Sequence, residues 1–313
     1  NVSGFMTKIG ASITNKKSIN AANKIFENFV NIDELQTLAS KRISKCFGTE
    51  AAVITASAAG GLTESVAAMM TGNDLKKIYR LPDTNKMKNK VLIQRGHLTN
   101  YGAEVGQGIL LSGAKILSCG LKKSCSITDL EKAIKKNSKK IACAMYVVSH
   151  HCSDYNSVDL KKFLSICKKH RIATIVDAAS EEYMEDFFKL GADVAIFSAH
   201  KFMGSLTAGI IAGRKKLIKN VYLQNLGIGR GMKVGKESIY AAIIGVEFWY
   251  KRDLRRELNK QNKVIDYWIK YLNKKNYKGV SYEIVPDPTG NKINRLRIYI
   301  NYKYSKFTAQ SLA

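Results

Sequence analysis

Short unbroken apolar runs alternate with helix-period stretches along most of the chain, beginning at about residue 32. Asn31 is placed to cap a helix carrying Leu35, Leu38, Ile43 and Cys46 on one face, with Gly48 as its stop. Ala51–Thr55 reads as a buried strand, and the small-residue loop 56–61 opens a helix running to about Met70. The pattern then predicts strand 91–94, a helical stretch 100–111 and strand 114–118. Ser126 with Asp129 has the spacing of a capping box for a helix ending near Lys136. Strand 141–148, helix 157–170, strand 173–176, helix 181–190 and strands 194–198 and 208–212 complete the series. Continuously apolar strands between amphipathic helices predict a mainly parallel α/β sheet covered on both faces, with functional groups at the carboxyl ends of the strands.

After about Asn225 the pattern changes to longer helices, 238–273, then two strand-like runs, 281–285 and 295–300, in the style of a small α+β domain. The expected division is an N-terminal segment 1–30, a large domain 31–225, and linking helices with a partial small domain 226–313. The chain opens on Asn1 without a signal-peptide layout and stops before the small domain looks complete, so native segments at both ends are expected to be missing.

Length and composition narrow the class. With 313 residues, 45% apolar and 24% charged, the chain can bury a sizeable core and is not a disordered polymer. No apolar run is long enough to span a membrane. The net charge of +26 is carried mostly by Lys, recurring beside Asn and Ile at 86–90 and 273–278. That favours a solvated basic face over a nucleic-acid groove, which recruits Arg for bidentate phosphate contacts, and it attracts anionic ligands in either case. Six cysteines without a CxxC fit a reducing cytoplasm.

The chemistry concentrates at strand ends. Strand 173–176 delivers Asp177, and strand 194–198 delivers Ser198-Ala-His200-Lys201. One helix and one strand separate Asp177 from Lys201, so neighbouring parallel strands bring both to one edge. Upstream, the run from Thr55 to Gly61 is a strand, small-residue loop and helix start whose amides can hold a phosphate. A phosphate cradle, an acid and a lysine in one crevice are the parts a pyridoxal 5′-phosphate enzyme requires. Each part also has a plainer reading: Lys201 as one surface lysine among many, Asp177 as a helix cap, the small residues as close helix–sheet packing. His150, His151, Cys152 and Asp154 invite a metal, but neighbours in one loop point apart and no spaced partner completes a site.

These residues resemble the fold-type-I pyridoxal-phosphate enzymes, in the branch of selenocysteine synthase and the D-glucosaminate-6-phosphate ammonia-lyases. The resemblance is carried by Gly48-Thr-Glu-Ala-Ala-Val-Ile-Thr55 with its loop, Gln94-Arg-Gly-His97, Val176-Asp-Ala-Ala179, Ser198-Ala-His-Lys201 and Gly209-Ile-Ile-Ala-Gly213. It spans roughly residues 1 to 245; the segment from Gly229 to Glu237 and the opening Asn1-Val-Ser-Gly4 look closer to the ammonia-lyase side.

What the resemblance implies is a Schiff-base lysine at Lys201 and a pyridinium partner at Asp177. It implies phosphate contacts from Ser57 and Ala58 with help from Ser198, and His200 beside the lysine. It places Ser149 or His150 near the ring, and His97 either stacked on the ring or serving as a structural histidine. Arg95, Arg230 and Lys233 are candidates for a substrate carboxylate or phosphate. The implied reaction is α,β-elimination of a hydroxyl-bearing, phosphorylated sugar amino acid to ammonia and a 2-keto-3-deoxy acid. Selenocysteine-synthase-like β-replacement on seryl-tRNA, another transferase or aminotransferase, and a non-catalytic basic nucleic-acid-binding protein stand as alternatives. Expected partners are a small anionic amino acid and a second copy of the chain in a homodimer or larger homo-oligomer. No metal and no membrane are expected, and nucleic acid only if the tRNA alternative holds.

Overall fold

In the computed structural model, residues 5–304 are described. Residues 1–4, part of the expected N-terminal active-site segment, lie outside the described residues, as do 305–313. Seven short strands form one sheet: β1 (Ala51–Thr55), β2 (Lys90–Gln94), β3 (Lys115–Cys119), β4 (Ile141–Val147), β5 (Thr174–Asp177), β6 (Val194–Ser198) and β7 (Gly209–Gly213). Their order is β1-β7-β6-β5-β4-β2-β3, with every pairing parallel except those of β7 with β1 and β6. The strands are apolar throughout because both faces are covered. Ile54, Val176, Phe197 and Ile210 point into one core, and Val53, Ile175, Ile196 and Ile211 into the other.

Helix α1 (Lys16–Phe26) packs on α10 (Lys236–Tyr250), and α2 (Ile32–Phe47) joins them on the first face. The second face takes α3 (Ala58–Thr71), α5 (Val105–Leu111) and α9 (Lys215–Leu223), with α4 (Leu75–Arg80) beside α3. Helices α6 (Ile127–Asn137) and α7 (Leu160–Lys169) cover the β3 end, and α8 (Met184–Lys189) lies over β6. The long α11 (Leu254–Lys275) leads to an antiparallel hairpin of β8 (Val280–Pro286) and β9 (Asn294–Ile300).

The Asn31 side chain caps α2, accepting from the Asp33 and Glu34 amides, and Gly48 ends it at φ +65°. Its inward stripe differs from the expected one: Leu35, Gln36, Ala39, Ile43 and Phe47 are buried while Leu38 is exposed. The reason lies in β1, an edge strand whose outer hydrogen-bonding groups need partners. Gln36 donates to Ile54 O at 2.7 Å and accepts from Ile54 N at 3.0 Å, and Ser40 Oγ accepts from Ala52 N. A polar residue therefore faces inward and rotates Leu38 out.

Three other helices start later than the pattern suggests. Residues 100–104 form a loop in which Asn100 accepts from the Gly102 amide, so α5 begins only at Val105. Asp159 caps α7 at Leu160, because Val158 is held by Gln94 through both its N–H and its carbonyl. Glu181 and Tyr183 line a cleft, and α8 starts at Met184. Helices α1, α4 and α9 were not expected; each is short, and tertiary packing selects it.

Candidate active site

The strand register assembles the site. Thr55 lies opposite Gly209, and Gly209 opposite Ser198; Asp177 sits between Ile196 and Val147. The carboxyl ends of β1, β6, β5 and β4 thus form one row, with the start of β7 inside it. Asp177 is buried at that row, with Oδ1 accepting from the Ala179 amide at 3.3 Å. Burial pushes its carboxyl up, while the Ala179 amide and the nearby Lys201 charge pull the other way.

Lys201 stands three residues beyond β6 and donates from Nζ to Ser180 Oγ at 2.5 Å. Burial lowers its pKa against the charges of Asp177 and Glu181, which raise it. A lysine depressed in this way keeps more of the free amine that nucleophilic and base chemistry require. Ser198 Oγ is 3.0 Å from His200 Nδ1, and burial, followed by the Lys201 charge, lowers the His200 pKa.

The anion-binding end lies at α3. Ser57 is its N-cap, with Oγ accepting from the Gly60 amide, so the start of a 14-residue helix faces the row with free backbone donors. Gly209 permits this approach: a Cβ there would lie 2.3 Å from Ser57 O. Gly61 likewise lets α3 sit on Ile211. Of the expected phosphate loop, residues from Ala58 onward are the first turn of the helix itself. Met232 packs against Gly60, which brings the turn carrying Arg230 and Lys233 over this helix start, with both cations exposed. Arg95 is also exposed, in the 3-10 turn Arg95–His97 after β2.

His97 is packed into a wall. Its Nδ1 accepts from Val147 N at 3.2 Å, which puts the proton of the neutral ring on Nε2. The ring stands edge-on to Tyr146 with centroids 4.4 Å apart, and burial lowers its pKa to about 4. Ser149 caps the turn His150–Cys152 through the His151 amide. The structure also brings in Tyr101, whose hydroxyl lies beside Thr99, Ser149 and Asp177; burial and the Asp177 charge raise its pKa.

A cavity of about 350 Å³ opens beside this wall, lined by His97, Ser149, Glu181, Tyr183, Thr289 and Asn291 among others. Asn291, from the β8–β9 connection, donates to Glu181 Oε2 at 3.0 Å and accepts from the Glu182 amide. Burial raises the Glu181 carboxyl to about 8. The buried Asp287 pairs with Arg295, whose charge also reaches His150. Sequence reasoning missed Ser180, Glu181, Tyr101, Asn291 and Arg295. The polar run from Ser180 to Glu182 directly after a buried strand was a usable signal for the first two, but nothing local marks Asn291, 110 residues from its partner Glu181.

The N-terminal segment meets the lysine loop. Ser12 donates to His200 O at 2.6 Å, Asn15 Nδ2 donates to Gly204 O at 2.8 Å, and the Phe5 and Phe202 rings are 4.4 Å apart.

Comparison with known proteins follows the same layout. The family model described as SelA, L-seryl-tRNA selenium transferase, matches residues 1–276. The chain is 31% identical over 312 residues to the D-glucosaminate-6-phosphate ammonia lyase of Salmonella typhimurium, covering 100% of this chain and 82% of that protein. It is 28% identical to the 5′-C-glycyluridine monooxygenase-decarboxylase of a Streptomyces species, covering 98% and 76%. It is 22% identical to the L-seryl-tRNA(Sec) selenium transferase of Aquifex aeolicus, covering 98% and 72%. A solved D-glucosaminate-6-phosphate ammonia-lyase superposes with a TM-score of 0.83 at 30% identity, covering 100% of this chain and 82% of that one. The archaeal O-phosphoseryl-tRNA(Sec) selenium transferase shares the fold alone, with a TM-score of 0.58 at 16% identity. Among the described residues no group of three or more His, Cys, Asp or Glu is arranged to hold a metal, and no helix is long and apolar enough to cross a membrane.

Proposed function

The chain belongs to the L-seryl-tRNA selenium transferase family, and from that membership we propose that it is a pyridoxal-phosphate-dependent lyase. Its substrate on this reading is a hydroxyl-bearing, phosphorylated sugar amino acid, converted to a 2-keto-3-deoxy acid and ammonia. The observation that carries the reading is the convergence of a helix N-terminus, a buried acid and a half-buried lysine on one row of strand ends. That donor set fits the cofactor: the Ser57–Gly60 turn, opened by Gly209, suits its phosphate, and a protonated ring nitrogen would add to the Lys201 charge in offsetting the burial of Asp177. When bound, the cofactor supplies an electron sink for charge developing at the substrate Cα.

The protein's own residues do the rest. The first-turn amides of α3 would hold the phosphate, Asp177 would keep the ring-nitrogen proton in place, and Lys201 Nζ would be the point of covalent attachment. A free Lys201 Nζ would take the Cα proton, and Ser180 Oγ orients it. Glu181, a neutral acid below about pH 8, gives its proton to the departing Cβ hydroxyl, which leaves as water. Hydrolysis at Cα returns one water and releases ammonia, so the net change is loss of ammonia from the substrate. Arg95, Arg230, Lys233 and Arg295 supply cations for the substrate's carboxylate and phosphate.

The test is direct. Protein loaded with pyridoxal phosphate is expected to absorb in the visible, and borohydride to fix the label on the peptide containing His200-Lys201-Phe202. Incubation with D-glucosaminate 6-phosphate is expected to release ammonia and a keto acid. Label on another lysine would overturn the site assignment. Correct labelling with no ammonia from any phosphorylated sugar amino acid would overturn the reaction.

A further inference from the structure

We infer that Cys119 and Cys125 form a reversible disulfide site whose closure strains the turn carrying His97. The two sulfurs are 3.7 Å apart and both residues are buried, at 5% and 6% exposure. Gly120 builds this approach: its φ is +79°, and a Cβ there would lie 2.6 Å from Cys125 Cβ. Closing the gap to a bonded distance of about 2.05 Å needs only a local shift of the connecting turn. No other pair of thiols is hydrogen-bonded among the described residues.

The pair is chemically unequal. The hydrogen bond between them lowers the pKa of Cys125 and, with burial, raises that of Cys119, so Cys125 is the first to become a thiolate. The oxidant is a low-molecular-weight disulfide. The Cys125 thiolate attacks one of its sulfurs and displaces one thiolate. Cys119 then loses its proton to solvent and attacks the Cys125 sulfur, displacing the second thiolate. The protein gains one S–S bond and the small disulfide becomes two thiols. Access comes from local opening of residues 120–125, where Leu121 is 69% exposed and two backbone bonds tie the turn to Asn156.

The route to His97 is short. Cys119 pairs with Gln94 in the β2–β3 ladder, and its sulfur lies 3.6 Å from Ile93 O. Tyr155 donates to Leu121 O within the same turn, and its ring fills the space over Gly96 and faces His97, with centroids 5.9 Å apart.

The experiment does not depend on the catalytic reading. Full-length protein is incubated with oxidised glutathione, denatured in acid and alkylated. Four of the six thiols are expected to react, and trypsin cleavage after Lys122 and Lys123 should leave two peptides joined through Cys119 and Cys125 and separated by dithiothreitol. Six reactive thiols, or a bond mapped elsewhere, would overturn the site. Cys125→Ser and Cys125→Ala, each checked for native circular dichroism, are expected to abolish the link. In the oxidised protein, amide exchange over residues 94–98 should quicken several-fold and recover on reduction; unchanged exchange there would overturn the coupling to His97.

Discussion

At the scale of single residues, burial decides which groups carry charge. Asp177→Asn keeps the shape but removes the charge opposite a ring-nitrogen proton, so turnover is expected to fall about a thousandfold or more, while cofactor binding through α3 survives. Near-normal turnover would make Asp177 a packing group. Glu181→Gln is expected to cost about 10²–10³ in turnover. The wild-type rate should fall as pH rises through about 8, where Glu181 loses its proton, and the variant should lack that limb. Glu64 provides an independent check on stability. It is buried on α3 at 2% exposure, and burial raises its carboxyl to about 8. A raised folded-state pKa means the native form holds a proton that the unfolded chain gives up from about pH 4.5. Stability from this group is therefore full at low pH and is lost progressively towards pH 8. Glu64→Gln should raise the melting temperature at pH 8 and leave it nearly unchanged at pH 4. Asp177, Lys201 and Ser57 were legible in the sequence because each follows a strand written as an unbroken apolar run. Glu181 lay in the same text, but the burial that raises its pKa, and the Thr289 and Asn291 hydrogen bonds that pull it back, come from the fold and not from local sequence.

At the scale of elements, the decisive contact is α3 against β7. Gly209→Ala would push a methyl against the Ser57 carbonyl and shift the first turn of the helix. Pyridoxal phosphate affinity, read by visible titration, is expected to weaken at least about tenfold, the loss of roughly one good hydrogen bond to an anion. Gly231→Ala is the matched control, since nothing lies within 4 Å of a Cβ there and its φ is not in the left-handed region. Equal affinities for the two variants would remove α3 from the phosphate site. Helix positions were readable where a cap and a stop bracket the pattern, as at Asn31 and Gly48, or where a capping box opens it, as at Ser126 and Asp129. They were misread where a side chain from elsewhere claims the backbone, as Gln94 does at Val158.

At the scale of the whole molecule, charge and exposed apolar surface oppose each other. Phe5, Met6, Ile9, Ile13 and Phe29 are exposed, beside the segment that docks on the lysine loop. A second copy covering this surface would shield the site from water, against the repulsion of two chains at +26 each. A dimer, or a dimer of dimers, is expected in sedimentation at moderate salt, and a stable monomer that turns over substrate would refute a shared site. In a salt titration, any tRNA binding with a steep salt slope and no tRNA preference would mark a generic basic surface; salt-resistant, tRNA-selective binding would favour the seryl-tRNA reaction instead. The sequence alone determined the alternation of strand and helix, and with it the edge on which Asp177 and Lys201 meet. Strand identity depends on local apolar runs, and parallel neighbours share their carboxyl ends. The tertiary structure decided the antiparallel β7, the inward turn of Gln36, the packed His97 ring and the reach of Asn291 to Glu181. The last three depend on partners 18 to 110 residues away, and no local pattern records which distant group satisfies a buried polar atom.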